Sequence, residues 1–194
     1  MAEIISGLLD MTHIQASERE IAQRLKIPPD YTNDVIDNCT LAVRKSLTPR
    51  YCYIKTPVEF IEDNTVAFDF GKVKSADLHK NLCGCKYAYV MAVTLGIDID
   101  RLIVRLSATA KAEAFVADAL ASAYAEALAD EVNRIIGKDV NLRPRFSPGY
   151  GDFDLSFQAK ILEYLKADKL AGIKLCENYM MTPRKSVTAL CGIE

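Results

Sequence analysis

The stretch from Asp98 to Ile136 limits the fold more than any other part of the chain. It reads as helix throughout, in two pieces. Ile99, Leu102, Ile103 and Leu106 form the apolar stripe of the first piece. In the second, Val116, Leu120, Tyr124, Leu128 and Val132 recur every fourth residue. Alanine, the best helix former, fills most of the gaps, and its small side chain lets another backbone approach closely. Gly137 is a natural C-terminal stop. Long helices with one apolar stripe need a broad apolar surface to lie on. The preceding segment KYAYVMAVTLG (Lys86–Gly96) predicts such a surface. It is apolar, rich in aromatic and β-branched residues, and ends at glycine, as an interior strand does.

The flanking segments carry their own punctuation. Ser17 and Glu20 make a capping box, which predicts a helix from Glu18 to Leu25 that stops before Pro28–Pro29. Val35, Ile36, Cys39, Ala42 and Val43 predict a second helix from Asn33 to Ser46. Arg50 to Gly71 reads as β. Val66, Phe68 and Phe70 alternate with Ala67 and Asp69, and Asp63–Asn64 is turn chemistry. YCYIKTPVEFIE and TVAFDFG are therefore expected to pair as a hairpin. Ser75 is placed to cap a short helix through Leu82. Asp154 caps a helix with Phe157, Ile161, Tyr164 and Leu165 on one face. Gly172 opens a short extended piece, and PRKSVTALCGI reads as a final strand. Met180 and Met181 are expected in the core, and Arg184–Lys185 in a solvated turn before that strand. No repeat, low-complexity tract or linker divides the chain. The expectation is one α+β domain over residues 1–194: a twisted antiparallel or mixed sheet with long helices packed on it.

Charge and cysteine usage narrow the function. Against 26 Asp and Glu stand 24 Lys and Arg, a net charge of −2. Non-specific nucleic-acid binding needs a basic face and is not expected. No apolar run reaches the roughly 18 to 20 residues that span a bilayer, so no membrane partner is expected. The opening MAEIISGLLDM carries Glu3 and no apolar core of leader length, which points to the cytoplasm. Thiols are reduced there, and most of Cys39, Cys52, Cys83, Cys85, Cys176 and Cys191 are expected as small buried hydrophobes. Cys83 and Cys85 form a C-x-C pair, which admits a cysteine-based metal or redox protein as an alternative. Zinc and iron–sulfur sites usually need four ligands, often as two C-x-x-C pairs. The other thiols are scattered and His13 and His79 stand alone, so no metal site is expected.

The loop Lys138–Asp154 holds two prolines, two glycines and three aromatics. Pro148–Gly149 suits the centre of a type II turn, because proline presets one dihedral and glycine accepts the positive φ that follows. Arg145, Tyr150, Asp152 and Asp154 surround it. Arginine pairs bidentately with a carboxylate, and a tyrosine face attracts a cation. The chemistry points to a small zwitterion such as an amino acid. The alternative is a structural loop that buries Phe146 and Phe153 and holds Arg145 in a salt bridge.

RFSPGYGDFDLSFQAKILEYL, with GIKL, YMMTPRKSVTALCGI and the earlier YAYVMAVTLG, resembles the activation (reactivation) domain of cobalamin-dependent methionine synthase. It resembles more closely the stand-alone bacterial proteins made of this domain alone. The motif R-x-x-P-G-Y, then a helix, then M-x-P-x-x-S-V carries the resemblance, which covers roughly Lys86 to Ile193. Residues 1–84 match only in general character. They form a weakly matched part of N-terminal helices and hairpin ahead of an S-adenosylmethionine-binding core at 85–194. The resemblance implies that Arg145 binds the methionine carboxylate, that Ser147 and Gly149 give backbone contacts, and that Tyr150 lines the pocket. The family's acid on the long helix aligns with Ser122. Glu126, one turn later, is the expected substitute, because residues four apart share a helix face; Asp130 follows one turn further. The longer family domain continues beyond the S-V strand into a segment with pocket tyrosines, whereas this chain ends at Glu194.

The resemblance also implies a role. Methionine synthase strands its cobalt as cob(II)alamin on occasional oxidation, and recovery needs one electron and a methyl group from S-adenosylmethionine. Positioning is then the main catalytic device, no side chain need act as acid or base, and no catalytic residue is expected. The implied partners are a cobalamin-bearing methionine synthase or related corrinoid protein, with cobalamin carried by that partner, and a flavodoxin-like or ferredoxin-like electron donor. The protein is expected to act in trans and to have little activity alone. The principal alternative is a corrinoid-protein binding or repair module that has lost S-adenosylmethionine, motivated by Ser122 and the short C-terminus. An ordinary methyltransferase is disfavoured, because the Gly-rich turn after a first strand is absent.

Overall fold

Side-chain caps start the helices where the sequence places them. Ser17 Oγ accepts from the Glu20 N–H (3.4 Å), Asn33 Oδ1 from Ile36 (2.9 Å), Ser75 Oγ from Leu78 (3.0 Å) and Asp154 Oδ1 from Ser156 (2.7 Å). The reciprocal half of the Ser17 box is not made, since the Glu20 carboxylate pairs with Arg24 at 2.7 Å. The computed structural model describes residues 3–194. Met1 and Ala2, the start of the segment read for a leader, lie outside them. The elements are β1 (Ile5–Leu8), α1 (Glu18–Leu25), α2 (Asp34–Lys45), β2 (Arg50–Pro57), β3 (Glu59–Ile61), β4 (Thr65–Phe68), β5 (Gly71–Lys74) and α3 (Ala76–Leu82). They continue as β6 (Tyr87–Thr94), α4 (Ile97–Thr109), α5 (Lys111–Ile136), α6 (Gln158–Tyr164), α7 (Ala167–Leu170), β7 (Lys174–Leu175), β8 (Met181–Thr182) and β9 (Ser186–Ile193). The break between α4 and α5 falls at Ala110, where φ −151° and ψ 80° leave the helical region.

The main sheet has the order β1-β2-β6-β9, every pair antiparallel. The fold is thus α+β, with antiparallel sheets throughout. Strand β6 lies inside, in register from Tyr87 opposite Ile193 to Thr94 opposite Ser186. Its alternation explains its sequence. Met91 and Val93 face one core, with Leu120, Tyr124, Leu128 and Val132 of α5. Ala88, Val90 and Ala92 face a second core, with Leu78, Phe153, Phe157, Ile161 and Leu165. A strand buried on both faces reads as a continuous apolar run rather than an alternating one. On the first face the buried alanines of α5, among them Ala117, Ala121 and Ala125, sit in the same cluster as β6.

Three expectations are corrected. The hairpin of YCYIKTPVEFIE with TVAFDFG is not formed as a whole: β2 runs in the main sheet against β6, and only β3 pairs with β4, in a small sheet completed by β5. The burial alternation Cys52, Ile54, Thr56, Val58 runs unbroken through Pro57, with the Val58 N–H still bonded to Lys86 C=O at 3.0 Å. The chain therefore changes sheets without a break in pattern. Met180 is exposed, because it lies on the surface hairpin of β7 and β8, whereas Met181 is half-buried against the second core. Lys185 is not solvated: its side chain is 14% exposed, and Asp118 Oδ1 and Ser122 Oγ, both at 2.8 Å, hold its ammonium. Cys39, Cys52, Cys85 and Cys191 are buried, whereas Cys83 and Cys176 are exposed. Among the described residues, no helix is long and apolar enough to cross a membrane.

Candidate functional site

The outer edge of β9 is covered by the loop that leaves α5. Arg143 donates its N–H to Gly192 C=O at 2.9 Å, and Phe146 and Leu190 exchange both backbone bonds at 2.9 Å. This pairing runs antiparallel to β9 and makes the residues between Leu142 and Phe146 strand-like. Side chains of an extended chain alternate between faces. Phe146 accordingly packs with the second core, its ring stacked at 6.1 Å on buried Phe153, and Arg145 reaches the opposite way, to α5. There its Nη2 donates to Glu126 Oε2 at 3.2 Å and its Nη1 to Asp130 Oδ1 at 2.5 Å. Glu126 and Asp130 are four apart and share a helix face. Arg145 is 19% exposed and Asp130 72%, so the ion pairs stand at the wall of an open depression, not in the core.

Beyond Phe146 the chain turns sharply. The Tyr150 N–H donates to Ser147 C=O at 3.2 Å, and Gly149 has φ +92°, as a turn with Pro148–Gly149 at its centre requires. The Gly149 N–H then donates to Phe153 C=O at 2.7 Å, and the Phe153 N–H to Tyr150 C=O at 3.0 Å. Asp154 caps the turn that leads into α6. Its carboxyl is held below the ordinary range by hydrogen bonding from Ser156.

Loop, α5 and β9 enclose a cleft of about 660 Å³, within the range of small-molecule sites. Of the five residues proposed from sequence, Arg145, Ser147, Tyr150 and Glu126 line it, while Gly149 forms the turn behind them. Asp130 lines it as well. Ser122 sits one turn before Glu126, occupied with Lys185 and with Asp118 C=O. Tyr150 is 65% exposed at the mouth. The far wall consists of Met181, Ser186 and Val187 of the M-x-P-x-x-S-V motif and of three residues that the sequence did not single out, Asn133, Gln158 and Thr188. Gln158 is buried, with Oε1 accepting from the Thr188 hydroxyl (3.1 Å) and Nε2 donating to Tyr179 C=O (2.9 Å). Its one sequence signal is a polar residue between the apolar positions Phe157 and Ile161. Ser186 of M-x-P-x-x-S-V lies 2.6 Å from Pro183 C=O and 2.8 Å from Thr94 Oγ1, which closes the turn into β9.

Chemically, the cleft joins a planar cation, two carboxylates, hydroxyl and amide groups and an apolar wall. A guanidinium has five N–H donors, of which Glu126 and Asp130 take two. Cys191 lies beneath; burial pushes its thiol up to about 12, against the opposing pull of the Arg145 charge. No cluster of three or more His, Cys, Asp or Glu side chains is arranged to hold a metal ion among the described residues.

Residues 64–193 match the family model for the vitamin B12-dependent methionine synthase activation domain. Among solved structures, the fold is similar to the crystal structure of the MetH reactivation domain bound to AdoHcy. The TM-score is 0.70 at 18% identity, over 98% of this chain and 78% of that one. A comparison with curated proteins gives no match.

Proposed function

Because the chain belongs to the family of vitamin B12-dependent methionine synthase activation domains, we propose that its cleft binds S-adenosylmethionine in support of the reductive remethylation of cob(II)alamin on a corrinoid-bearing partner. The observation that carries the proposal is the Arg145 guanidinium, held by two α5 carboxylates at the wall of a cleft of about 660 Å³ inside the matched region. Arg145 offers its remaining N–H donors to the ligand's carboxylate. Glu126 and Asp130 supply charge for its ammonium and sulfonium. The formal sum over Glu126, Asp130 and Arg145 is −1 − 1 + 1 = −1, opposite to the ligand's own +1. Phe146, Val187 and Met181 give the apolar wall, and the Tyr150 ring stands at the mouth. When bound, the ligand supplies a sulfonium methyl. The chain's own part is to orient it, and no acid or base in the cleft is required for that.

The rim supports a protein partner. Tyr150, Leu155, Tyr179 and Met180 are exposed, and each lies on the loop or on the segments that adjoin it. An apolar rim around a polar cleft suits a protein surface that closes over it. The proposed partner is a cobalamin-bearing methionine synthase or related corrinoid protein, served in trans, with a flavodoxin-like or ferredoxin-like electron donor. Adding the protein, S-adenosylmethionine and a reductant to an oxidised synthase that lacks its own activation domain restores turnover if the proposal holds; no restoration refutes action in trans. A second reading, a corrinoid-protein module without S-adenosylmethionine, draws on one observation: Arg145 is already paired twice. Absence of binding at millimolar S-adenosylmethionine would favour it.

A further inference from the structure

The segment Pro144–Asp152 carries most of the proposed ligand groups, yet β9 fixes only its first part, through Phe146. From Ser147 onward the chain leaves the sheet, and the turn has its own three backbone hydrogen bonds. A second support comes from α3, and it grips the segment at both ends. At the start, Asn81 Nδ2 donates to Pro144 C=O at 3.2 Å. At the finish, the Asp152 carboxylate accepts three bonds: from the Ser75 hydroxyl (2.5 Å), the Ala76 N–H (2.7 Å) and the Asp77 N–H (3.2 Å). Asp77 Oδ2 accepts in return from the Asp152 N–H at 3.3 Å. Ser75 and Asn81 are six residues apart, about 9 Å along a helix.

The second glycine of P-G-Y-G-D has its reason in this contact. Gly151 has φ +54°, and a Cβ there would stand 2.1 Å from Asp77 Oδ2. A side chain there would have to displace the Asp77 carboxylate, so glycine suits this close approach of the loop to α3. Leu78 and Leu82 of α3 are fully buried in the second core, so the support itself is anchored. We propose that α3 is a splint for the ligand loop, with Asp152 and Asn81 as positioning residues that hold Arg145 and Tyr150 in their binding disposition. The functional half of this inference rests on the S-adenosylmethionine proposal; the splint itself does not. The Ser75 hydroxyl, with the Ala76 N–H, holds the Asp152 carboxyl below the ordinary range, so the acceptor is ionised at neutral pH.

The test uses Asp152→Ala, Asn81→Ala and the conservative Asp152→Asn. Two quantities are measured well below the melting transition: amide hydrogen exchange at Gly149, Tyr150 and Phe153, and S-adenosylmethionine affinity by calorimetry. Asp152→Ala is expected to speed exchange and weaken affinity, each roughly tenfold, with Asp152→Asn intermediate because it keeps one acceptor. The affinity loss from Asp152→Ala should shrink in a Tyr150→Ala background, since coupled groups are not additive. Should Asp152→Ala fail to fold, Asn81→Ala, which removes a single bond, gives the same readouts at about threefold. Unchanged exchange overturns the splint. Faster exchange with unchanged affinity overturns the positioning role. A wild-type protein that binds no S-adenosylmethionine overturns the ligand proposal, and exchange alone then decides the splint.

Discussion

Arg145→Ala separates a ligand-binding arginine from one that only braces the loop. In the structure it holds two carboxylates on one face of α5, Glu126 at 3.2 Å and Asp130 at 2.5 Å. Partly exposed pairs of this kind contribute about 0.2–1 kcal/mol each. Their loss also leaves two like charges four residues apart, a further penalty of about 0.2–0.5 kcal/mol. Stability should fall by about 1–2 kcal/mol, which for a chain of this size lowers Tm by about 2–8 °C. The effect on binding is larger. Deleting one partner of a hydrogen-bonded charge pair costs about 2–5 kcal/mol, so Kd for S-adenosylmethionine should rise more than about 30-fold. Arg145→Lys keeps the charge and loses the planar fork, and should fall between. Calorimetric titration and a thermal melt measure the two quantities on the same sample. A Kd within threefold of wild type would refute the assignment. If Tm also dropped by well over about 10 °C, Arg145 would be a structural ion pair and nothing more.

Three further outcomes follow from the same geometry. The net −1 of Glu126, Asp130 and Arg145 should favour S-adenosylmethionine over the net-neutral zwitterion AdoHcy by about 5- to 30-fold at low salt, and the gap should narrow near 1 M salt. In a Glu126→Gln variant, which brings the formal sum to −1 + 1 = 0, it should vanish; a gap that survives this neutralisation would refute the electrostatic origin. Burial pushes the Cys52 and Cys191 thiols from the ordinary 9.0 up to about 12, so a thiol reagent should label exposed Cys83 and Cys176 first and these two only on unfolding. The native state keeps those protons while the unfolded chain loses them. Stability should therefore fall as pH rises from 9 towards 12, by up to about 1.4 kcal/mol per unit for each thiol. Ala121 is fully buried among α5 and sheet residues; Ala121→Leu should overpack that contact by about 1–3 kcal/mol, read as a lower denaturant midpoint with unchanged slope.

Helices were legible because their signals are local. Ser17, Asn33, Ser75 and Asp154 each cap where the sequence places a start, and the four-residue recurrence in α5 marks the face that meets β6. Partner choice between strands was not legible. The alternation from Cys52 to Val58 continues across the change of sheet at Pro57, so period alone cannot say that β2 pairs with β6 while β3 pairs with β4. Strand β1 at the sheet edge and β5 were also unread: each is four residues long, too short for a pattern to stand out. In the cleft, the Pro148–Gly149 turn and its neighbours were legible because proline and glycine restrict the backbone locally. Gln158, Thr188 and Asn133 were not, because they sit in regular elements and face the cleft only through tertiary packing. The bonds of α3 and its cap to the loop span 63 to 77 residues, and their one trace in the sequence is the second glycine, Gly151.

The most direct measurement is a calorimetric titration of S-adenosylmethionine into the wild-type protein, repeated with Arg145→Ala. One saturable site, weakened more than about 30-fold by the substitution, is the expected result. No binding at millimolar ligand, or equal binding to both proteins, would contradict the assignment of the cleft.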